Sequence, residues 1–210
     1  MKPPPPNEYR NQWAGSLRTS HAGNEATVAG WVNRRRDHGG LIFIDLRDRT
    51  GIVQLVFDPE RDAETHAAAH KLRSEDVLTA TGEVRQRGPE HVNPSLPTGE
   101  IEIAVDSMTQ LADADTPPFP IDEDTPVDET LRLKHRSLDL RRPSMREAME
   151  LRHRVVATMR DVLNDRDFLE IETPFLTRST PEGARDFLVP ARAAGGRGPG
   201  LFYALPQSPQ

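Results

Sequence analysis

The sequence predicts an α+β protein whose first domain is all-β. Five segments of β-like character lie within the first 111 residues, and an amphipathic helix follows an acidic, proline-rich stretch. A chain of 210 residues has room for two modest domains. We therefore expect one domain over residues 1–111, a linker over 112–130 and a second domain over 131–210.

Composition excludes several classes of protein. The chain has no cysteine, 35% apolar residues and a net charge of −6. Disulfides and thiolate catalysis are thereby ruled out, and no apolar run reaches the roughly 18 residues that a membrane helix needs. The first residues lack the apolar core of a secretory signal. We expect a soluble, cytoplasmic protein with no membrane partner.

The first domain is predicted to contain five strands and one helix. The strands are expected over residues 26–33, 41–47, 51–57, 77–86 and 100–111. A helix should lie between the third and fourth strands, with Asp58 as its cap, Pro59 at the first helical position and an end near Arg73. Three strands, a helix and two more strands are the order of an OB-fold, a five-stranded barrel that binds oligonucleotides or sugars on one face.

The segment around the first predicted hairpin has the composition of a site for single-stranded nucleic acid. Arg34, Arg35 and Arg36 are expected where the first strand gives way to a glycine-containing loop, and Phe43 lies on the next strand. Cations can hold phosphates beside an aromatic face on which a base stacks, and the Gln54 amide could read a base edge. A solvated arginine turn with Phe43 in the core is the alternative, and periodicity alone leaves both open.

The stretch over residues 112–130 is interpreted as a linker. It contains seven acidic residues, four prolines and no basic residue. Proline favours extended backbone, and like charges keep such a segment open.

The second domain is predicted to begin with a long helix. Ser144 and Glu147 fit the capping-box pattern, and Asp165 marks the expected end of the helix. Apolar residues recur at spacings of three and four, which predicts one apolar face: Ala148, Leu151, Val155, Met159 and Val162.

A strand over residues 168–177, interrupted by Pro174, is expected after this helix. Proline removes a donor from the sheet, so Pro174 belongs at an edge, a bulge or an interface. A polar loop and another strand follow before Gln210. A helix face and an edge strand without an opposing layer cannot bury their apolar surfaces, so we expect the second domain to be truncated.

Six motifs follow one another along the chain: GWVNRRRD at 30–37, LIFIDLRD at 41–48, LDLR at 138–141, FLEIETP at 168–174, TPEGARD at 180–186 and FYALPQSPQ at 202–210. Together they resemble the bacterial type of aspartyl-tRNA synthetase, a class II aminoacyl-tRNA synthetase. One such motif is a weak signal, whereas six in order across two predicted domains are highly specific. The resemblance covers nearly the whole chain after the first dozen residues.

The resemblance implies an N-terminal OB-fold that binds the tRNA anticodon and an antiparallel-sheet catalytic domain. Phe43 would stack on an anticodon base, while Arg36 and Gln54 would contact anticodon bases and Arg34 would belong to the same site. The long helix and the strand that ends at Pro174 would form the first class II motif, which builds the interface of a homodimer.

The resemblance also implies part of an aspartate pocket. Glu182 would lie in a mobile loop and engage the ammonium group of L-aspartate, and Ser208 and Gln210 would line the pocket. A carboxylate suits an ammonium group, and a neutral amide suits amino or carboxylate groups. Taken without the resemblance, Glu182 reads as an ordinary exposed loop acid.

The reaction implied is ATP-dependent activation of aspartate to aspartyl-adenylate, followed by transfer to tRNA. ATP would be a substrate and Mg²⁺ would neutralise phosphate charge, with its ligands expected downstream of this chain. The second and third class II motifs would also lie beyond Gln210. We therefore predict that the 210-residue chain alone neither activates aspartate nor aminoacylates tRNA, which a pyrophosphate-exchange assay would test.

His38 bears on the choice of tRNA. In this family a histidine at this anticodon-loop position resembles the non-discriminating type, which charges both tRNA-Asp and tRNA-Asn. A solvent-facing loop histidine is the alternative. Two rival functions also stand: an asparagine- or lysine-specific relative, and a non-catalytic OB-fold module that only binds RNA.

Overall fold

The computed structural model of the chain describes residues 5, 7–121, 125–179, 185–191 and 202–207. The chain divides into two compact units, Met1–Pro120 and Ile121–Gln210. The finer division into a domain, a linker and a second domain remains a prediction. Each unit is described separately below.

The first unit is a closed five-stranded barrel, as the strand order predicts. Its neighbours follow the order β1-β2-β3-β5-β4, and β1 closes the barrel by pairing antiparallel with β4. The β3–β5 pair is parallel, with Leu55 opposite Ile103. This is the OB-fold topology. The strands are β1 (Glu25–His38), β2 (Leu41–Asp48), β3 (Gly51–Phe57), β4 (Val77–Gln86) and β5 (Ile101–Ala112).

Alternation along the strands builds the core of the barrel. Ile42, Ile44 and Leu46 on β2 are each 0% exposed, and the residues between them lie on the outer face. The strands have this pattern because successive side chains of a strand point to opposite faces. The buried face of β2 joins one core cluster with residues from the other four strands.

A short 3-10 turn at Ala14–Ser16 closes the end of the barrel at which the β2–β3 turn lies. Asp48, which is 4% exposed, accepts hydrogen bonds from the Ala14 N–H at 2.7 Å and from the Thr50 N–H at 2.7 Å. Gly15 lies against the backbone of Thr50, where an added Cβ would come within 2.4 Å of the carbonyl group. The buried carboxylate therefore ties the N-terminal segment to the β2–β3 turn.

The helix of the first unit, α1, is shorter than predicted. It spans Ala63–Ala69 and is capped by Asp62, whose side chain accepts from the Thr65 N–H at 2.5 Å. Asp58 instead accepts from the Glu60 N–H in a turn that precedes the helix. The prediction of a start at Asp58 and an end near Arg73 is therefore wrong. Asp-Pro suits position i of a turn as well as a helix start, and the sequence contained both signals.

The second unit is built around a long helix. The helices are α2 (Glu129–Lys134), α3 (Arg136–Asp139) and α4 (Pro143–Asn164), and two short strands, β6 (Leu188–Pro190) and β7 (Phe202–Ala204), pair antiparallel. The N-cap of α4 is Arg142, and Pro143 is its first residue. Ser144 therefore lies inside the first turn, and the predicted cap at Ser144 is wrong because proline begins the helix one residue earlier.

The predicted strand over residues 168–177 is not formed. Within the described residues, its backbone takes part in a single isolated bridge, between Thr177 and Ala204. Phe168, Leu169 and Phe175 are 61%, 82% and 84% exposed. A strand needs a neighbour that accepts its hydrogen bonds, and Pro174 has no N–H to offer.

Candidate nucleic-acid interface

A one-residue bulge in β1 creates the outer face on which the candidate site lies. Val32 is opposite Leu46, but the next paired residues are Arg34 and Asp45, so Asn33 is an extra residue. If the two strands paired regularly, without the bulge, Asn33 would be opposite Asp45 and Arg34 would be opposite the buried Ile44. The bulge shifts the phase of the strand by one residue, and Arg34 and Arg36 join the outward-facing side.

This finding corrects the expected position of the three arginines. β1 continues to His38, so Arg34, Arg35 and Arg36 lie within the strand and not in its loop. All three are exposed. Arg34 and Arg36 share the outer face with Asp45 and Phe43, while Arg35 is opposite Ile44 and belongs to the other face.

Phe43 is on the outer face of the barrel. Its neighbours Ile42 and Ile44 are fully buried, whereas Phe43 is half-buried and is paired with Arg36 on one side and Val56 on the other. The interpretation of Phe43 as a core residue does not fit this register. A half-exposed ring beside a guanidinium group is the kind of surface on which an unpaired base stacks.

A chain of hydrogen bonds joins four strands beside this ring. Arg36 Nη2 donates to Asp45 Oδ1 at 2.6 Å and to Gln54 Oε1 at 3.2 Å. Gln54 Nε2 donates in turn to Glu102 Oε2 at 3.1 Å. Gln54 is 7% exposed, so its amide is held in one orientation between a cation and an anion.

Arg87 extends the same chain at the end of β4. Its Nε lies 3.8 Å from Glu102 Oε2 and donates to the Ile101 carbonyl oxygen at 2.8 Å. The side chain is 5% exposed, and within the described part of the chain its Nη2 has no hydrogen-bond partner. Burial lowers the pKa of the Arg87 guanidinium; Glu102 and Asp45 oppose this effect and Arg36 adds to it.

Sequence reasoning missed Arg87 and Glu102. Glu102 lies between the buried residues Ile101 and Ile103, an alternation that could have placed it on the outer face. The parallel β3–β5 pairing, which brings Glu102 beside Gln54, could not be seen in the sequence. Arg87 carries no comparable signal because it lies beyond the end of β4.

His38 ends β1 at the tip of the hairpin. It is opposite Leu41, and Gly39 and Gly40 form the turn with φ values of +62° and +82°. Such φ values favour glycine. His38 is exposed, two residues beyond Arg36 on the same strand.

The candidate aspartate pocket cannot be built from the described residues. Glu182, Ser208 and Gln210 all lie outside them. Asp186 accepts hydrogen bonds from Ser179 Oγ and, at 2.6 Å, from Gln207 Nε2. These contacts join the flanks of the TPEGARD motif to the last motif of the chain.

Pro174 lies in an exposed segment without regular structure. Nearby, the C-terminal half of α4 and residues 168–170 form a groove of about 320 Å³. Its apolar lining includes Val156, Met159, Leu163, Phe168 and Leu169, and Arg160 forms a two-pronged hydrogen bond with Glu170 at 2.8 and 2.9 Å along one wall.

The described residues contain no cluster of three or more His, Cys, Asp or Glu side chains arranged to hold a metal ion. No helix among them has the length and apolar character needed to cross a membrane.

Two family models match the chain in the order of its two units. Residues 26–111 match the OB-fold nucleic acid binding domain, and residues 128–210 match the class II tRNA synthetases for aspartate, lysine and asparagine. The order of these matches, a nucleic-acid-binding barrel followed by a class II synthetase segment, relates the chain to the class II aminoacyl-tRNA synthetases.

Curated relatives narrow the class to one family. Proteins of Halothermothrix orenii and Rubrobacter xylanophilus, both named aspartate–tRNA(Asp/Asn) ligase, are 57% identical to the chain over 201 and 204 residues. These matches cover 96% and 97% of the chain and 33% of each relative. The chain belongs to the bacterial-type aspartyl-tRNA synthetases and spans about one third of the length of the curated relatives it matches.

Solved structures agree at the level of the fold. The asparaginyl-tRNA synthetase of Pyrococcus horikoshii, crystallised with asparaginyl-adenylate, has a TM-score of 0.75 and 25% identity, covering 93% of this chain and 42% of that one. The aspartyl-tRNA synthetase of Entamoeba histolytica has a TM-score of 0.68 at 22% identity, covering 77% and 39%.

Proposed function

We propose that this chain supplies the anticodon-binding barrel and the beginning of the catalytic domain of an enzyme that attaches L-aspartate to tRNA through an aspartyl-adenylate. The observation that carries the proposal is the outer face of the barrel, where the half-exposed Phe43 ring lies beside Arg36 and the oriented Gln54 amide. The 57% identity to two aspartate–tRNA ligases supports the substrate class.

The side chains of this face suit an unpaired anticodon. The Phe43 ring offers a stacking surface to a base, and Arg34 and Arg36 offer guanidinium groups to its phosphates. In Gln54, the contacts to Arg36 and Glu102 use one lone pair and one N–H. An amide has a second of each, so Gln54 can address a base edge while its orientation stays fixed.

Replacing Phe43 tests the proposal most directly. We expect Phe43→Ala to weaken binding of a tRNA-Asp anticodon stem-loop by about 1–3 kcal/mol, since one base loses its stacking partner. Fluorescence anisotropy at several salt concentrations would measure this, and the wild-type affinity should fall as salt rises because phosphate contacts release counterions. Phe168→Ala, at an exposed ring of the second unit, is the matched control. Equal affinities for wild type and Phe43→Ala would reject the site.

His38 is proposed to contribute to tRNA choice. The relatives from Halothermothrix orenii and Rubrobacter xylanophilus are named for both tRNA-Asp and tRNA-Asn, and His38 is exposed at the hairpin tip. We expect His38→Leu in the full-length enzyme to change the ratio of charging of the two tRNAs by several-fold, because their anticodons differ at one base and one contact discriminates by about 1–3 kcal/mol. An unchanged ratio would remove His38 from the selection.

The catalytic half of the proposal concerns residues that the described structure does not include. Glu182, Ser208 and Gln210 are proposed to line the aspartate pocket, and a second copy of the chain is proposed to cover Pro174 and the apolar face of α4. The ligands for Mg²⁺ and the groups that hold ATP are proposed to come from the remaining length of the family's proteins. The 210-residue chain is accordingly expected to bind tRNA without charging it.

The rival functions carry less support. An asparagine- or lysine-specific enzyme would be expected to have its high-identity relatives among those ligases, whereas the asparaginyl-tRNA synthetase match has 25% identity. A purely RNA-binding module would leave the synthetase match over residues 128–210 without a role. A cytoplasmic location is proposed because the relatives are enzymes of translation.

A further inference from the structure

The turn of the β1–β2 hairpin is open on the side where the side chains of residues 39 and 40 would project. A Cβ built on Gly39 or Gly40 would meet no atom within 4 Å, and all residues from Arg34 to Gly40 are exposed. A two-residue glycine turn has more conformational freedom than any other residue pair would allow. The tip therefore needs contacts from outside the hairpin if Arg36 and His38 are to hold fixed positions.

Helix α1 is fixed to the barrel on its inner side. Ala69 is 0% exposed and Leu72, just beyond the helix, is 2% exposed, and both belong to the core cluster. At the other end, Asp62 caps the first turn. Although it has only seven residues, α1 is therefore anchored to the barrel near its C-terminal end and capped at its N-terminal end.

Two histidines, His66 on α1 and His70 at its C-terminal cap, reach the hairpin tip. The His66 Nε2–H donates to the Gly40 carbonyl oxygen, with the two atoms 3.0 Å apart. His70 Nε2 lies 3.6 Å from Asp37 Oδ2. These histidines are four residues apart and so lie on the same helix face. The His70–Asp37 pair is exposed on both sides and adds little by itself, so the His66 hydrogen bond is the main contact.

We propose that His66 is a positioning residue for anticodon recognition. By holding the Gly40 carbonyl group, it transfers the rigidity of α1 to the hairpin tip and fixes where Arg36 and His38 meet RNA. His66 itself need not touch the RNA. The inference rests on the proposed function, since it gives α1 a role in the same interface.

The test uses the 210-residue chain and compares His66→Ala with His66→Gln. Glutamine places an amide N–H at nearly the same reach as His Nε2 and can restore the bond to Gly40. We expect His66→Ala to weaken binding of the tRNA-Asp anticodon stem-loop about three- to tenfold, the range of a single neutral hydrogen bond, and His66→Gln to recover affinity to within about twofold. His153→Ala, on the exposed surface of α4, is the matched control.

Two further readouts separate positioning from folding. Amide hydrogen exchange at Gly39 and Gly40 should accelerate in His66→Ala while the core amides of β2 keep their protection. The ratio of affinities for the tRNA-Asp and tRNA-Asn stem-loops should also change, which a general loss of stability would not cause. Unchanged affinity, exchange and ratio in His66→Ala would overturn this inference while leaving the proposed function intact. A wild-type chain that binds neither stem-loop would overturn both.

Discussion

In the barrel, the apolar side chains on the inner faces of the strands pack against one another and are sealed from water, whereas on α4 the apolar side chains face solvent. Every member of the core cluster lies between Ala14 and Val105. Leu151 and Met159 on α4 are 56% and 60% exposed. The same kind of periodic pattern therefore produced a finished core in one unit and an unpartnered face in the other.

The two units differ because a closed barrel provides its own partners for its apolar side chains. A barrel supplies each strand with two neighbours from within about one hundred residues, so its interior needs no other partner. A helix buries its apolar stripe only when another layer packs against it. Among the described residues no such layer covers the α4 face, and its proposed occupant is a second copy of the chain.

The largest expected effect comes from removing a core side chain of the barrel. Leu46→Ala should lower the free energy of unfolding of the barrel by about 2–5 kcal/mol, because Leu46 is fully buried and leaves a cavity. Trp13 and Trp31 are the only tryptophans of the chain and both belong to the first unit, so tryptophan fluorescence during urea unfolding reports on the barrel. Leu151→Ala, the same substitution on exposed α4, should change this transition by less than about 0.5 kcal/mol. If Leu46→Ala and Leu151→Ala lowered the free energy of unfolding equally, the difference in burial between the barrel and α4 would be contradicted.

A smaller effect is expected at Asp139, a carboxylate that is buried among the helices of the second unit. Asp139 is 0% exposed; Arg132 Nε donates to it at 2.6 Å, and Arg136 forms a second contact. The Arg132 hydrogen bond lowers the pKa of Asp139 below its ordinary 3.8, and the two guanidinium charges add to this. The stabilisation is therefore present above the ordinary pKa and is lost as pH falls through the lowered one.

Asp139→Asn should accordingly destabilise α2 and α3 by about 1–2 kcal/mol at neutral pH, a modest value because both arginines are partly exposed. Hydrogen exchange of the amides in α2 and α3 would measure it. The difference from wild type should shrink at acidic pH, where the native carboxylate also becomes neutral. Asp161→Asn on exposed α4 should show no such dependence, and a pH-independent difference for Asp139→Asn would contradict the ion-pair explanation.

The smallest effect concerns helix capping, which also differs between the units. Asp62 caps α1 through its side chain, and the Thr65 N–H lowers the pKa of that carboxyl group, whereas no side-chain hydrogen bond from Arg142 caps α4. Asp62→Ala should lower barrel stability by about 1 kcal/mol. Glu64→Ala in the same exposed turn is the control and should be nearly silent in the fluorescence-monitored transition.

The barrel was predictable because alternation is a local property. The predicted strand over residues 51–57 matches β3, and the one over 77–86 matches β4. The segment at 168–177 is also rich in apolar residues. Whether it forms a strand depends on a neighbouring strand to pair with, which the alternation of its own residues does not specify. Helix α1 was located but its start was misplaced, since Asp58 and Asp62 both offer a capping side chain.

The sequence could predict which residues belong to the candidate site, but it could not predict the contacts that hold them in place. Composition pointed to Arg36, Phe43 and Gln54, and their roles in RNA binding stay predictions. The burial of the Gln54 amide and the buried Arg87 depend on contacts between β3, β4 and β5, which are distant in sequence. The contact between His66 and Gly40 likewise joins residues 26 positions apart.

The extra residue Asn33 divides β1 into two stretches that can be altered separately. Residues before it fill the barrel, whereas residues 34–38 are exposed and do not belong to the core cluster. A library of substitutions at positions 34–38 could therefore redirect the protein toward other RNA sequences without repacking its interior. Deleting Asn33 would remove the bulge while leaving Arg34 opposite Asp45, so the pairing of residues 34–38 with β2 should survive the loss of the extra residue.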